Sequence, residues 1–201
     1  MKSRSMQTVF AAVLTLTVLS LAAGCSDDDS NDLQRLVVDV QSVNAGAPLV
    51  SAYLNAGSDN IVGTDDDFQP IDSIQVVFHA RPYGSLITMP EDGAYSWFQV
   101  VRYDLEWQNE PGVPVNLTQH NIYGGNTAAM VPVYEEGAAS VLITGIDVKN
   151  TDWFVEIFTG DIESFQANAH ITFYGHESGS DEEVAIEAGL RVHFIGVVTG
   201  G

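Results

Sequence analysis

Covalent chemistry is indicated at one place in this chain. Cys25 is the only cysteine among 201 residues, and it directly follows the small residues Ala22-Ala23-Gly24. Upstream lie the cations Lys2 and Arg4 and then an apolar run from Val9 to Leu21, the layout of a secretory signal peptide with small residues at its cleavage point. That run is shorter than the roughly 20 apolar residues a spanning helix needs, so cleavage is expected. A second place concentrates oxygen ligands: Asp59-Asn60-Ile61-Val62-Gly63-Thr64-Asp65-Asp66-Asp67. Ca²⁺ takes about six to eight oxygens, which makes Asp59, Asp65, Asp66 and Asp67 candidate calcium ligands, although the spacing is not that of an EF-hand. The same residues also suit an acidic turn that serves only solubility.

Other constellations carry less. No Gly-x-Ser-x-Gly elbow and no His-Glu-x-x-His pair occurs, so nucleophilic and zinc-protease chemistry find no support. The adjacent acids Glu91-Asp92 and Glu135-Glu136 fall in turn regions and read as solvent-facing. If the last hairpin sets Phe173 against Val184, His170 faces Glu187 while His193 falls opposite Ser164, and the two imidazoles do not converge on one ion. No catalytic residue is assigned. Trp107, Tyr123, Tyr134 and Trp153, near strand ends, are the candidate binding residues, because exposed aromatics dominate recognition surfaces for sugars and proteins; core packing is their other use.

Leu21-Ala22-Ala23-Gly24-Cys25 resembles the lipobox of bacterial lipoproteins, with Ala22 where that motif usually has Leu. The resemblance implies that residues 1–24 are removed and that the Cys25 sulfur carries diacylglycerol. Two or three chains then hold the protein at the membrane essentially permanently, whereas one binds only reversibly. Ser26 after the cysteine, in place of Asp, resembles the signal that releases lipoproteins to the outer membrane. Ser26-Asp27-Asp28-Asp29 looks like the surface-export tether of some Bacteroidetes lipoproteins. The expected location is thus the bacterial outer membrane, lipid-anchored, on its periplasmic or exposed side.

The chain holds seven basic and 27 acidic residues, a net charge of −20. Removing residues 1–24 takes two basic residues and no acidic one, leaving five against 27, or −22. Nucleic acid is excluded as a partner, because displacing its counterions needs clustered Lys and Arg. Residues 25–32 read as a lipidated acidic tether and residues 33–201 as one domain, long enough to bury a single core. No intrachain disulfide is available to it, since only one cysteine is present.

Apolar alternation at period two recurs along that domain, and no helical periodicity is evident after the signal segment. Ile74, Val76, Phe78 and Ala80 form one apolar row. Trp97, Val101, Tyr103, Leu105 and Trp107 form another, and Trp153 to Phe158 reads as a further short strand. The closing hairpin alternates Phe165, Ala167, Ala169, Ile171 and Phe173 with polar residues and returns from Val184 to Phe194. Amphipathic strands of this length need a second sheet to cover them. The expected fold is all-β: a single antiparallel sandwich resembling immunoglobulin-like or fibronectin-type domains, with a jelly roll as the alternative.

The functional expectation is a noncatalytic cell-envelope lipoprotein presenting this domain for binding or assembly with protein partners. A carbohydrate-binding module, with an envelope glycan as partner, is the first alternative and an envelope hydrolase the second. Replacing the acceptor sulfur should abolish acylation: Cys25→Ser should incorporate no radiolabelled fatty acid and remain unprocessed. Labelling at the wild-type level would show that the lipid is carried elsewhere than on Cys25.

Overall fold

The computed structural model describes residues 35–83, 97–108 and 115–199. The signal segment 1–24, Cys25, the tether 25–32 and the acids Glu91 and Asp92 lie outside the described residues. Eight strands run in order: β1 Leu36–Val43, β2 Leu49–Asn55, β3 Asp72–Pro82, β4 Trp97–Gln108, β5 Ile122–Pro132, β6 Glu136–Thr144, β7 Phe165–Glu177 and β8 Val184–Val198. Two short helices, α1 Ile146–Lys149 and α2 Asp152–Thr159, lie between β6 and β7.

The strands form because their apolar residues alternate, and alternation places one row on each face of a pleated sheet. In β3, Ile74, Val76, Phe78 and Ala80 are buried while Ser73, Gln75 and Arg81 are exposed. In β7, Ala167, Ala169, Ile171 and Phe173 are buried. The strands assemble into two sheets, β1-β3-β6 and β2-β8-β7-β4-β5. The first is antiparallel throughout. The second is mixed, because β2 runs parallel to β8 from Leu49↔Val192 to Asn55↔Val198, and it curls into a half-barrel. The domain is therefore mainly β with two facing sheets, and the parallel edge strand corrects the expectation of a purely antiparallel sandwich.

The sheets meet through aromatic contacts. The Phe78 ring on β3 packs edge-on against Phe173 on β7 at 4.9 Å, a favoured arrangement for two aromatic quadrupoles. The Tyr103 hydroxyl on β4 donates to the carbonyl of Leu142 on β6 at 3.0 Å. Three strands cannot cover five, and the uncovered part is closed by α2. Its Phe154 stacks near Trp153 and packs edge-on against Phe194 of β8 at 5.8 Å, and Tyr53 of β2 lies 4.7 Å from Phe158. Gly196 on β8 permits this approach, since a Cβ there would stand 3.0 Å from the Ile157 carbonyl oxygen.

Three expectations are corrected. Trp153 to Phe158 is helical, and its buried residues Trp153, Phe154 and Ile157 follow helical spacing, with Val155 exposed. The register of β4 shifts between Val100 and Arg102. The buried row is therefore Phe98, Val100, Tyr103, Leu105 and Trp107, and Trp97 and Val101 are only half-buried. In the closing hairpin Gly175, not Phe173, pairs with Val184. That two-residue offset sets His170 opposite Gly189 and His193 opposite Gln166.

One buried polar cluster joins both sheets to α1. Lys149 is fully buried, and its Nζ donates to Asp72 Oδ2 at 2.7 Å, Ser51 Oγ at 2.9 Å and the Ala52 carbonyl at 2.5 Å. Ser51 Oγ donates to Asp72 Oδ2 at 2.7 Å, and Thr144 Oγ1 donates to the same oxygen. The ammonium also sits 4.7 Å from the Phe154 ring centroid. Burial pushes the Lys149 amine below the ordinary lysine range, while its bond to Asp72 pulls it back.

Breaking such a pair leaves a charge without a partner, which costs about 3–5 kcal/mol, whereas removing both charges together is often near neutral. Asp72→Ala should therefore lose about that much in denaturant titration at neutral pH. Adding Lys149→Met should recover a large part. A double variant as unstable as the sum of the two single variants would show that the charges do not act as a pair.

Candidate functional site

An open groove of about 750 Å³ runs between the end of β1, the turn after it, and strands β7 and β8. Its floor follows from alternation. Ala167, Ala169 and Ile171 on β7 and Leu190 and Val192 on β8 are buried, so the intervening Asn168, His170, Glu187, Gly189 and Arg191 form the outward row. All five line the groove, together with Ala169, Ala188 and Leu190 of the inward row and Gln108 from the end of β4. The ladder places Gln108 beside Asn168, Asn168 beside Arg191 and His170 beside Gly189. His170 Nε2 reaches diagonally to within 4.0 Å of Glu187 Oε1. At Gly189 an added Cβ would meet nothing within 4 Å, so the middle of the floor is bare backbone.

The wall is built differently. β1 is the outermost strand of its sheet, and its pairing with β3 shifts between Val40 and Ser42. Beyond it Asn44, Ala45 and Gly46 all take left-handed φ values of 49°, 54° and 79°. Such a conformation costs about 1–2 kcal/mol for a residue with a Cβ such as Ala45. Asn44 Nδ2 donates to the Ala47 carbonyl at 3.0 Å and holds the turn closed.

The basic residues of the domain are unevenly matched. Arg81 pairs with Asp39 at 3.3 Å, Arg102 with Glu183 at 2.7 Å and Asp104 at 3.8 Å, and Lys149 with Asp72. Arg102 also lies over the Tyr174 ring at 3.6 Å. Arg191 is exposed and forms no ion pair among the described residues. Sequence reading missed this groove because its floor is three separate strands and its wall a turn. The only available signal was the polar alternation of β7 and β8.

The sequence-derived aromatic set is divided. Trp107 and Trp153 are core residues at 4% and 8% exposure, both packed on Phe194. Tyr123 and Tyr134 are exposed, but one stands at the start of β5 and the other in the turn beyond its end, with about 30 Å of strand between Tyr123 and Pro132 at a strand's rise per residue. The four do not form one platform. Tyr123 Oη instead accepts from Asn121 Nδ2 at 2.9 Å and donates to Glu106 at 3.3 Å.

The acidic loop closes on itself. Asp66 Oδ2 accepts from the Ser58 backbone N–H at 2.7 Å and the Ser58 hydroxyl at 3.0 Å, and its Oδ1 accepts from Thr64 Oγ1 at 2.8 Å. Asp59 Oδ1 accepts from the Ile61 N–H at 2.9 Å, and Asp67 Oδ2 from the Gly63 N–H at 2.6 Å. Asp65 is exposed. Among the described residues no three His, Cys, Asp or Glu side chains gather to hold one ion. Ser51, Lys149 and Asp72 have the residue types of a serine–lysine dyad with a carboxylate, yet Ser51 and Lys149 are fully buried and Asp72 nearly so.

The sequence matches no family model and no curated relative.

The Thr64 hydroxyl, followed by the Ser58 N–H and hydroxyl, lowers the Asp66 carboxyl to about 2 from 3.8. A folded-state value below the unfolded one favours the fold while the group is ionised. The loop's gain is therefore complete above about pH 4 and lost as pH falls towards about 2. An NMR titration should find the Asp66 midpoint near the lower value and see it rise in Thr64→Val. An unmoved midpoint in that variant would remove the hydroxyl as the cause.

Proposed function

We propose that this chain is a noncatalytic, lipid-anchored protein of the bacterial outer membrane whose β domain binds a protein partner. The observation that carries this reading is the contrast between its two polar clusters. The Ser51–Lys149–Asp72 cluster, with the residue types of a catalyst, is sealed in the core. In the concave surface that faces solvent, His170 approaches Glu187 only to 4.0 Å, and no hydrogen bond among the described residues joins the Ser42 hydroxyl to either of them as a nucleophile–base pair would require. On this reading such a surface serves recognition. On this reading the facing sheets act as an immunoglobulin-like scaffold, modified by the parallel β2 and by α2, and Cys25 attaches it to the membrane. The protein-binding reading is preferred to the glycan one because Trp107 and Trp153, which would stack on sugar rings, are in the core.

The test is site-specific crosslinking in intact cells. A benzoylphenylalanine at Ser42, in the groove wall, should give a discrete protein adduct. The same probe at exposed Ser73, on β3 and outside the groove lining, should give none. Equal adducts at both positions, or none at either, would count against partner binding through this surface. A glycan-only adduct at Ser42 would favour the carbohydrate alternative.

A further inference from the structure

Resting on the protein-binding reading, we infer that the groove takes a short extended peptide, with a carboxylate held by Arg191 and a cationic or amino end held by Glu187. The geometry of one strand fixes the polarity. Glu187, Gly189 and Arg191 are consecutive outward residues of β8. Successive outward positions are two residues apart, so the acid and the base stand about 13 Å from each other. That distance is the length of about four extended residues. Between them lies Gly189, beside which an added Cβ meets no atom, and a peptide backbone has room to lie flat across it.

The ends of the row are chemically opposite and suited to the two ends of a chain. Arg191 is the exposed cation that forms no ion pair among the described residues, while Arg81, Arg102 and Lys149 are each matched internally. Its planar fork fits a carboxylate through two parallel bonds. In a chain of net charge −20, an anion approaches only where a local cation outweighs the general repulsion. Gln108, which the ladder places beside Asn168 and so one strand beyond Arg191, offers a neutral amide. At the other end the exposed Glu187 carboxylate can accept from a cationic or amino group, and His170 approaches it to 4.0 Å.

The wall decides for a peptide over an acidic sugar. It is the end of β1, an outermost strand whose outer ladder no described strand pairs, and strand edges recruit extended peptides by main-chain hydrogen bonding. Val40, Val43 and Pro48 line it and give apolar contact to alternate side chains. Among the described residues no Phe, Tyr or Trp lines the groove, and these are the large rings on which a sugar face would stack.

The experiment uses the domain from Ser26 to Gly201, isotopically labelled, with two randomised tetrapeptide pools as probes. One pool has free C-terminal carboxylates and the other is amidated. Amide shifts at residues 40–43 and 187–191 should follow the acid pool, with apparent affinity about tenfold weaker for the amidated pool or for Arg191→Gln, the scale of one charge-assisted contact. Gly189→Val should abolish the shifts, and its unchanged melting temperature would show that it blocks without unfolding. Equal response to the two pools, or none to either, overturns the inference. Glucuronate displacing the acid pool at lower concentration overturns it in favour of a sugar. Because the probes are synthetic and the domain unlipidated, failure here is separable from failure of the crosslinking or acylation tests.

Discussion

The structure depends on one buried ion pair, that of Lys149 and Asp72. Its five residues come from four elements, β2, β3, β6 and α1. Ser51 and Ala52 belong to the edge of the five-stranded sheet, Asp72 to the first residue of β3, Thr144 to the last of β6 and Lys149 to α1. Burying an ammonium is costly unless it is paired and its remaining protons are bonded. Here three acceptors surround Nζ, and the Phe154 ring lies close to it. Because the charge tolerates only this placement, it fixes where β2 sits against the ends of β3 and β6. The apolar contacts alone, being non-directional, would not.

That constraint explains the architecture on its two sides. β2 pairs with β8 only from Val192 onward, so the earlier half of β8 is left beside β1, and the groove opens there. On the other side, α1 carries Lys149 into the cluster and leads directly into α2, whose Trp153, Phe154 and Ile157 cover what three strands leave bare. The helix and the groove are thus two consequences of one mismatch between a sheet of three strands and a sheet of five.

Much of this was legible where periodicity is strong. The rows of β3, β7 and β8 were read correctly because each alternates without interruption and each buries one face. Legibility failed where geometry is set by contacts far along the chain. Trp153-Phe154-Val155-Glu156-Ile157-Phe158 is too short and too apolar for its spacing to separate helix from strand, and only its packing on Phe194 decides. The bulge in β4 turned Trp97 away from the core without any glycine or proline to announce it. Lys149 stood in a polar break, Lys149-Asn150-Thr151-Asp152, and nothing local distinguishes a lysine bound for the core from one bound for water.

The distribution of charge follows from the same scarcity of cations. With seven basic residues against 27 acidic ones, most carboxylates must be satisfied by neutral donors or by water. The acidic loop uses neutral donors: Ser58, Ile61, Gly63 and Thr64 supply N–H and hydroxyl groups to Asp59, Asp66 and Asp67. Glu177 does the same where the domain begins, accepting from the backbone N–H groups of Arg35 and Leu36 at 2.8 and 2.6 Å. Local hydrogen bonds of this kind need no long-range partner and leave the few cations for positions where charge itself is required. Two such positions stand out. At Lys149 the positive charge organises the core, and at Arg191 it remains directed outward, on a surface whose general field repels every anion except one that this side chain can hold.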